Sequence, residues 1–76
     1  ARWLAVNGAE YEKLCNACAH GRHTVIDCYG ATNRAEFFAV TTETFFCKAL
    51  ALREHHPELY DVLREAYRQD PAARGR

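Results

Sequence analysis

The chain has 76 residues, 49% hydrophobic and 26% charged, with ten basic side chains balancing ten acidic ones. A sequence of this size is at most one small domain, burying only ~60% of its unfolded surface, and its composition is globular rather than disordered. The zero net charge gives no field that would draw nucleic acid or an anionic membrane, and no run of ~18 apolar residues is present to span a bilayer.

The N-terminus lacks the charged start, apolar run and small-residue cleavage site of a signal peptide. The first residue is Ala1 rather than Met, so residues upstream are expected. The four cysteines, Cys15, Cys18, Cys28 and Cys47, would suggest two disulfides in a secreted mini-protein. The long helical patterns favour reduced thiols in a cytoplasmic protein instead.

Ala1 to His20 reads as an amphipathic helix, with Trp3, Asn7, Tyr11, Leu14, Cys15 and Cys18 on one stripe of the ~3.6-residue period. Glu10, Glu12, Lys13 and Asn16 fall off that stripe. Gly8 weakens the first turns by about 1 kcal/mol relative to Ala. Gly21 is a natural C-terminal stop. Thr24-Val25-Ile26 is too short to classify by periodicity, and Asp27 to Thr32 reads as a loop containing Gly30.

Asn33 has the chemistry of an N-cap, with Glu36 three residues later as in a capping box. The helix it starts runs to about Cys47 or Leu50. Phe37, Phe38, Ala39, Val40, Phe45, Phe46 and Cys47 point in nearly every direction around it. A helix that is apolar all round belongs in the interior of a protein larger than 76 residues. The expectation is therefore that part of the fold lies outside this sequence, and that some of the four phenylalanines stay exposed within it.

A third helix starts near Pro57, a favoured first-turn residue. Leu59, Val62, Leu63, Ala66 and Tyr67 make its apolar stripe, and Asp61 with Arg64 and Glu65 with Arg68 are favourable pairs on the wet face. Pro71 is expected to end this helix, and residues 71–76 to form a flexible tail. The fold class is mostly α, with about three helices.

Glu36 and Glu43 are seven residues apart, nearly on one helical face, flanked by Ala39, Val40 and Cys47. A carboxylate in apolar surroundings needs a cation, a metal or hydrogen bonds. The plain alternative is that Glu36 caps its own helix while Glu43 pairs with an arginine. The stretch from Asp27 to Val40, Asp-Cys-Tyr-Gly-Ala-Thr-Asn-Arg-Ala-Glu-Phe-Phe-Ala-Val, adds a more specific signal. It resembles the Tyr-Gly-Ala-x-Asn-x-x-Glu-Phe-Phe-Ala-Val segment of the Mlc titration factor A family of zinc metallopeptidases. The similarity continues through Thr42-Glu43-x-Phe45-Phe46, Pro57-Glu58-Leu59-Tyr60 and Tyr67-x-Gln69-Asp70-Pro71, and more loosely through the helix of Trp3 and Tyr11.

The resemblance implies that residues 1–76 are the C-terminal helical part of a zincin-like catalytic domain. In such a site two histidines of a His-Glu-x-x-His helix and a downstream glutamate hold zinc, and the glutamate of that motif is the general base. The downstream ligand maps to Glu36. The tyrosine seven residues before it, which helps stabilise the oxyanion, maps to Tyr29. The anthrax lethal-factor peptidase looks similar in this Tyr-to-Glu spacing. The family further implies aminopeptidase activity on a peptide substrate and binding to a glucose-responsive transcriptional repressor. Three protein ligands leave a fourth zinc position open for water, as catalysis requires. A carboxylate in the first helical turn also faces the positive end of the helix dipole.

This sequence departs from the family in one respect: it contains no His-Glu-x-x-His. His55 and His56 are adjacent and followed by Pro57, and His20 and His23 lack the required spacing. The chain supplies one zinc ligand of three and no general base, so alone it is expected to be inactive. Two other readings stand beside this one. Cys15, Cys18, His20, His23 and Cys28 have the spacing of a structural zinc module. The chain also fits a small non-catalytic helical interaction module, whose sign would be a free-standing, stably folded 76-mer and which complete burial of all four phenylalanines would favour.

Overall fold

A computed structural model describes residues 2–74, Arg74 through its backbone alone. Five α-helices follow one another: α1 (Arg2–Ala19), α2 (Arg34–Cys47), α3 (Ala49–His55), α4 (Pro57–Tyr67) and α5 (Pro71–Arg74). A single 3-10 turn, Cys28–Ala31, lies between α1 and α2, and no strand occurs among the described residues. The chain is mostly α, with two short helices beyond the three the sequence pattern marks.

α1 stops where its chemistry requires. Gly21 takes φ +66°, the left-handed conformation that costs glycine nothing. The Gly21 N–H donates to Cys18 O at 3.1 Å and the Arg22 N–H to Ala17 O at 2.9 Å. That pair of bonds is the Schellman arrangement, and it satisfies carbonyls the helix end would otherwise orphan. The chain then reverses through residues 22–27 with Ile26 buried, and Asp27 starts the 3-10 turn where a plain loop was expected.

α2 and α3 are one helical path with a bend at Lys48 (φ −130°, ψ 48°). Hydrogen bonding survives the bend: the Lys48 N–H donates to Thr44 O at 2.8 Å, and the Leu52 N–H to Lys48 O at 2.9 Å. Beyond it Leu52 is fully buried while Leu50 is exposed. His56 takes an extended φ of −137° ahead of Pro57, as a residue before proline prefers, and Pro57 opens α4. α4 ends at Tyr67 rather than at Pro71. Arg68 turns left-handed (φ 54°), and its N–H donates to Arg64 O. Pro71 instead begins α5, the position its fixed φ suits.

The core is centred on Phe45, Leu52, Leu59 and Leu63, all at zero exposure, with Ile26, Phe37 and Leu14 extending it beneath the 3-10 turn. Phe45 stacks on Tyr60 at 5.1 Å and on Tyr67 at 5.8 Å between ring centroids. Residues 71–74, for which the sequence suggested a loose tail, form α5; Ala72 is buried, and its N–H donates to the Tyr60 hydroxyl at 3.0 Å. The remainder of that expected tail, residues 75–76, lies outside the described residues. Phe37 and Phe45 are buried, whereas Phe38 and Phe46 remain 46% and 42% exposed. With Ala35, Ala39 and Glu43 they make the open side of α2.

Two expectations are corrected. Cys18 and Cys28 are joined as a disulfide, because the reversal after Gly21 brings their Cα atoms to 5.9 Å; Cys15 and Cys47 are free thiols. The Cys/His zinc module does not assemble. Two of its sulfurs are bonded to each other, Cys15 Sγ donates to Ala31 O at 3.7 Å, and His20 Nδ1 bonds Asn16 O at 2.8 Å. Glu10, off the apolar stripe of α1, is buried.

Candidate metal centre

The start of α2 places Glu36. Asn33 is extended (φ −164°, ψ 176°), and its Oδ1 accepts the Glu36 N–H at 2.9 Å. The return half of a capping box is not made: the half-buried Glu36 carboxylate has no hydrogen bond or ion pair among the described residues. Glu43, exposed one face-repeat along, has no arginine partner among them either. The plain reading assigned each carboxylate an intramolecular task, and neither task is performed here. A carboxylate in the first turn lies at the positive end of the helix dipole, and that of Glu36 keeps its lone pairs free of intramolecular partners among the described residues.

The turn before α2 places Tyr29. Asp27 caps it, its Oδ1 accepting the Tyr29 N–H at 2.8 Å and its carbonyl accepting the Gly30 N–H at 2.9 Å. Gly30 is buried where the turn presses onto α1 and α2. A Cβ there would lie 3.3 Å from both Leu14 Cδ2 and Val40 Cβ, so the close approach depends on its absence. The Tyr29 side chain is thrown outward, 60% exposed, and its hydroxyl has no hydrogen-bond partner among the described residues.

Tyr29 and Glu36 thus sit on consecutive elements, the 3-10 turn and the first turn of α2, which pack against each other. Both present unengaged oxygen-bearing groups. No set of three His, Cys, Asp or Glu side chains able to hold a metal ion occurs among the described residues. Glu36 therefore fits the part of one metal ligand, and these residues do not complete a centre around it.

A family model described as glucose-regulated metallo-peptidase M90 matches residues 1–68. The chain belongs to that family. This M90 chain is 49% identical over 70 residues to the uncharacterized protein slr2042 of Synechocystis sp., which covers 92% of the chain but only 26% of that protein. It is 45% identical over 49 residues to the Mlc titration factor A of Pectobacterium atrosepticum and, equally, to that of Yersinia pestis. Those matches cover 64% of the chain and 18% of each relative. The chain thus spans between about a fifth and a quarter of the length of these curated relatives. No solved structure matches it. Family membership establishes a metallopeptidase-related chain and implies a metal. No described helix is long and apolar enough to cross a membrane.

One site in this M90 chain has no local sequence signal. Glu10 of α1 and His56, at the α3–α4 junction, meet through Glu10 Oε1 and His56 Nδ1 at 2.9 Å. Lys13 Nζ lies 3.5 Å from the other carboxylate oxygen. Burial pushes the Glu10 carboxyl upward, but the hydrogen bond and charge of His56, with Lys13, outweigh it and hold it below its usual value. The pair borders a cleft of about 790 Å³ that also includes Arg22, His23 and His55 but neither Tyr29 nor Glu36. Glu10 sits off the apolar stripe of α1, and its partner is 46 residues away, so periodicity could not pair them.

Proposed function

We propose that this chain is the C-terminal part of a zinc-dependent, aminopeptidase-like metallopeptidase, in which Glu36 is the third zinc ligand and Tyr29 the oxyanion-side hydroxyl. The observation that carries the reading is the Glu36 carboxylate, set on the first turn of α2 by the Asn33 cap on its backbone N–H and left without a partner among the described residues. The two histidine ligands and the general base then come from a part of the protein beyond these 76 residues, consistent with the small share of its relatives that the chain spans. The open apolar side of α2, with Phe38 and Phe46, is the surface such a part would cover. That exposure also weighs against a self-contained helical interaction module.

The chemistry zinc supplies in such a site is Lewis-acid polarisation of a bound water and of the scissile carbonyl. Glu36 would contribute a carboxylate oxygen from the capped first turn of α2. Tyr29 contributes a hydroxyl on an exposed, braced turn, free to donate to the oxyanion that develops on a peptide carbonyl. The reading includes a peptide substrate, a cytoplasmic setting and, from the resemblance in sequence alone, a transcriptional repressor as partner.

Two substitutions in the full-length protein separate the roles. Glu36→Gln keeps size and can remain beside the Asn33 cap, but lacks the charge a zinc ligand needs. Zinc content and turnover of an amino-acyl chromogenic substrate should fall together. Tyr29→Phe should retain zinc and lose about 10²–10³-fold in kcat, the usual cost of one oxyanion donor. A Glu36→Gln protein that stays metallated and active would remove Glu36 from the site. The 76-residue chain alone should show neither turnover nor sub-micromolar zinc binding by calorimetry.

A further inference from the structure

The Tyr29 turn is tied to its surroundings unevenly. Its cap is internal: Asp27 binds Tyr29 and Gly30 within the turn and does not reach α1. Toward α1, three ties stand out among the described residues. Gly30 packs on Leu14 with no side chain of its own. The Cys15 thiol reaches Ala31 O at 3.7 Å, a weak donor at the long end of its range. The third tie is covalent: Cys28, the first residue of the turn and the immediate neighbour of Tyr29, is bonded to Cys18 on the last turn of α1. Residues 22–27, which the bond spans, form no regular element, and Thr24 Oγ1 donates within them to Ile26 O at 2.6 Å.

We propose that the Cys18–Cys28 disulfide is a redox-responsive brace that positions the Tyr29 turn against α1, so that its reduction lowers turnover without removing the metal ligand. This rests on the reading of Tyr29 given above. Two observations and one general expectation, tied to the cytoplasmic setting proposed above, support it. The bond joins the element bearing Tyr29 to α1 and not to α2, which bears Glu36. Cys28 is exposed, so a reductant reaches it from solvent. In a cytoplasmic setting, disulfides are generally transient and redox-sensing rather than inert staples. Reduction balances with a dithiol as electron donor. Its thiolate attacks one sulfur of the pair, and the other leaves as a thiolate and takes up a proton. The second thiol of the reductant then closes on the mixed disulfide and frees the remaining protein thiol. Two electrons pass to the protein, which ends with two thiols, and the reductant ends as a cyclic disulfide.

The test uses the full-length zinc protein, air-oxidised or treated with dithiothreitol that is then removed anaerobically, each state checked by thiol titration. Reduction should free two thiols and speed hydrogen exchange at the amides of residues 28–32. It should lower kcat roughly tenfold, within the ~10²–10³ ceiling set by losing the hydroxyl altogether, while KM and zinc content hold. Cys28→Ser should behave as the reduced protein in either state, and Cys47→Ser, altering the distant exposed thiol, should keep the response. In Tyr29→Phe, reduction should still loosen the turn yet change kcat little further. An air-oxidised protein with four titratable thiols among these cysteines, or equal amide exchange in both states, would overturn the brace. So would an undiminished kcat response in Tyr29→Phe. If the full protein has no peptidase activity, or Tyr29→Phe is as active as the wild type, the catalytic reading fails instead, and amide exchange alone decides the brace. If Cys28→Ser does not fold, the comparison of oxidised and reduced wild type stands by itself.

Discussion

Glu10 and His56 join the first helix to the junction of the third and fourth by one hydrogen bond of 2.9 Å, with the carboxylate almost wholly buried. The contact spans 46 residues of sequence and closes the chain on itself beside a cleft of about 790 Å³. A buried carboxylate is tolerated only when such a partner satisfies it.

The sign of its pH dependence follows from the direction of its shift. The Glu10 carboxyl is held below its usual value in the folded chain. Its contribution is therefore present above the ordinary carboxylate range and is lost as pH falls through the folded value. Glu10→Gln should cost about 2 kcal/mol at neutral pH, the usual range for a hydrogen bond to a charged group. Thermal unfolding of both proteins between neutral and strongly acidic pH reads this out: the gap in Tm should close on the acid side. Asp61, lowered by its hydrogen bond to Arg64, and Asp70, lowered by that to Tyr60, add acid sensitivity to both proteins and cancel in the comparison. A gap that stays constant with pH would mean that the charge of Glu10 is not what the pair uses.

Gly30→Ala tests how tightly the Tyr29 turn is seated. The added methyl would stand 3.3 Å from Leu14 Cδ2 and from Val40 Cβ, tighter than ordinary van der Waals contact. Overpacking of this kind costs about 1–3 kcal/mol. Denaturant unfolding should show a lower midpoint with an unchanged slope. A neutral result would show that α1 and α2 can part to admit the methyl, and that the turn is less firmly held than its geometry implies.

Arg68→Gly should stabilise the chain. Arg68 is the one non-glycine residue at positive φ among those described, and it is exposed. A left-handed conformation costs an L-residue about 1–2 kcal/mol, which glycine largely avoids. Part of that gain is offset by the greater freedom of glycine in the unfolded chain, so a rise of about 1 kcal/mol is expected in equilibrium unfolding. A loss of stability would mean that the Arg68 side chain contributes more than its exposure indicates.

The sequence by itself determined the helical class, the cap at Asn33, the stop at Gly21, the start of α4 at Pro57 and the family signature from Asp27 to Pro71. All of these are local: a cap, a left-handed glycine, a proline at N1 and a 3.6-residue stripe involve neighbours within about one turn. It also marked α2 as a helix with too many apolar faces for so short a chain, and Phe38 and Phe46 remain exposed accordingly. Only the tertiary structure decided the pairings between distant residues. Glu10 falls off the apolar stripe, and its burial was not legible because periodicity counts apolar side chains and cannot see a histidine 46 positions on. Cys28 looked like one thiol among four until the reversal after Gly21 set it opposite Cys18. The tail looked loose because Ala72 and Pro71 carry little signal, yet the Tyr60 hydroxyl, bonded to Asp70 and to the Ala72 N–H, docks it. Local propensity fixes where helices begin and end, whereas the groups that meet across them depend on how the chain turns back, which no short window of sequence encodes.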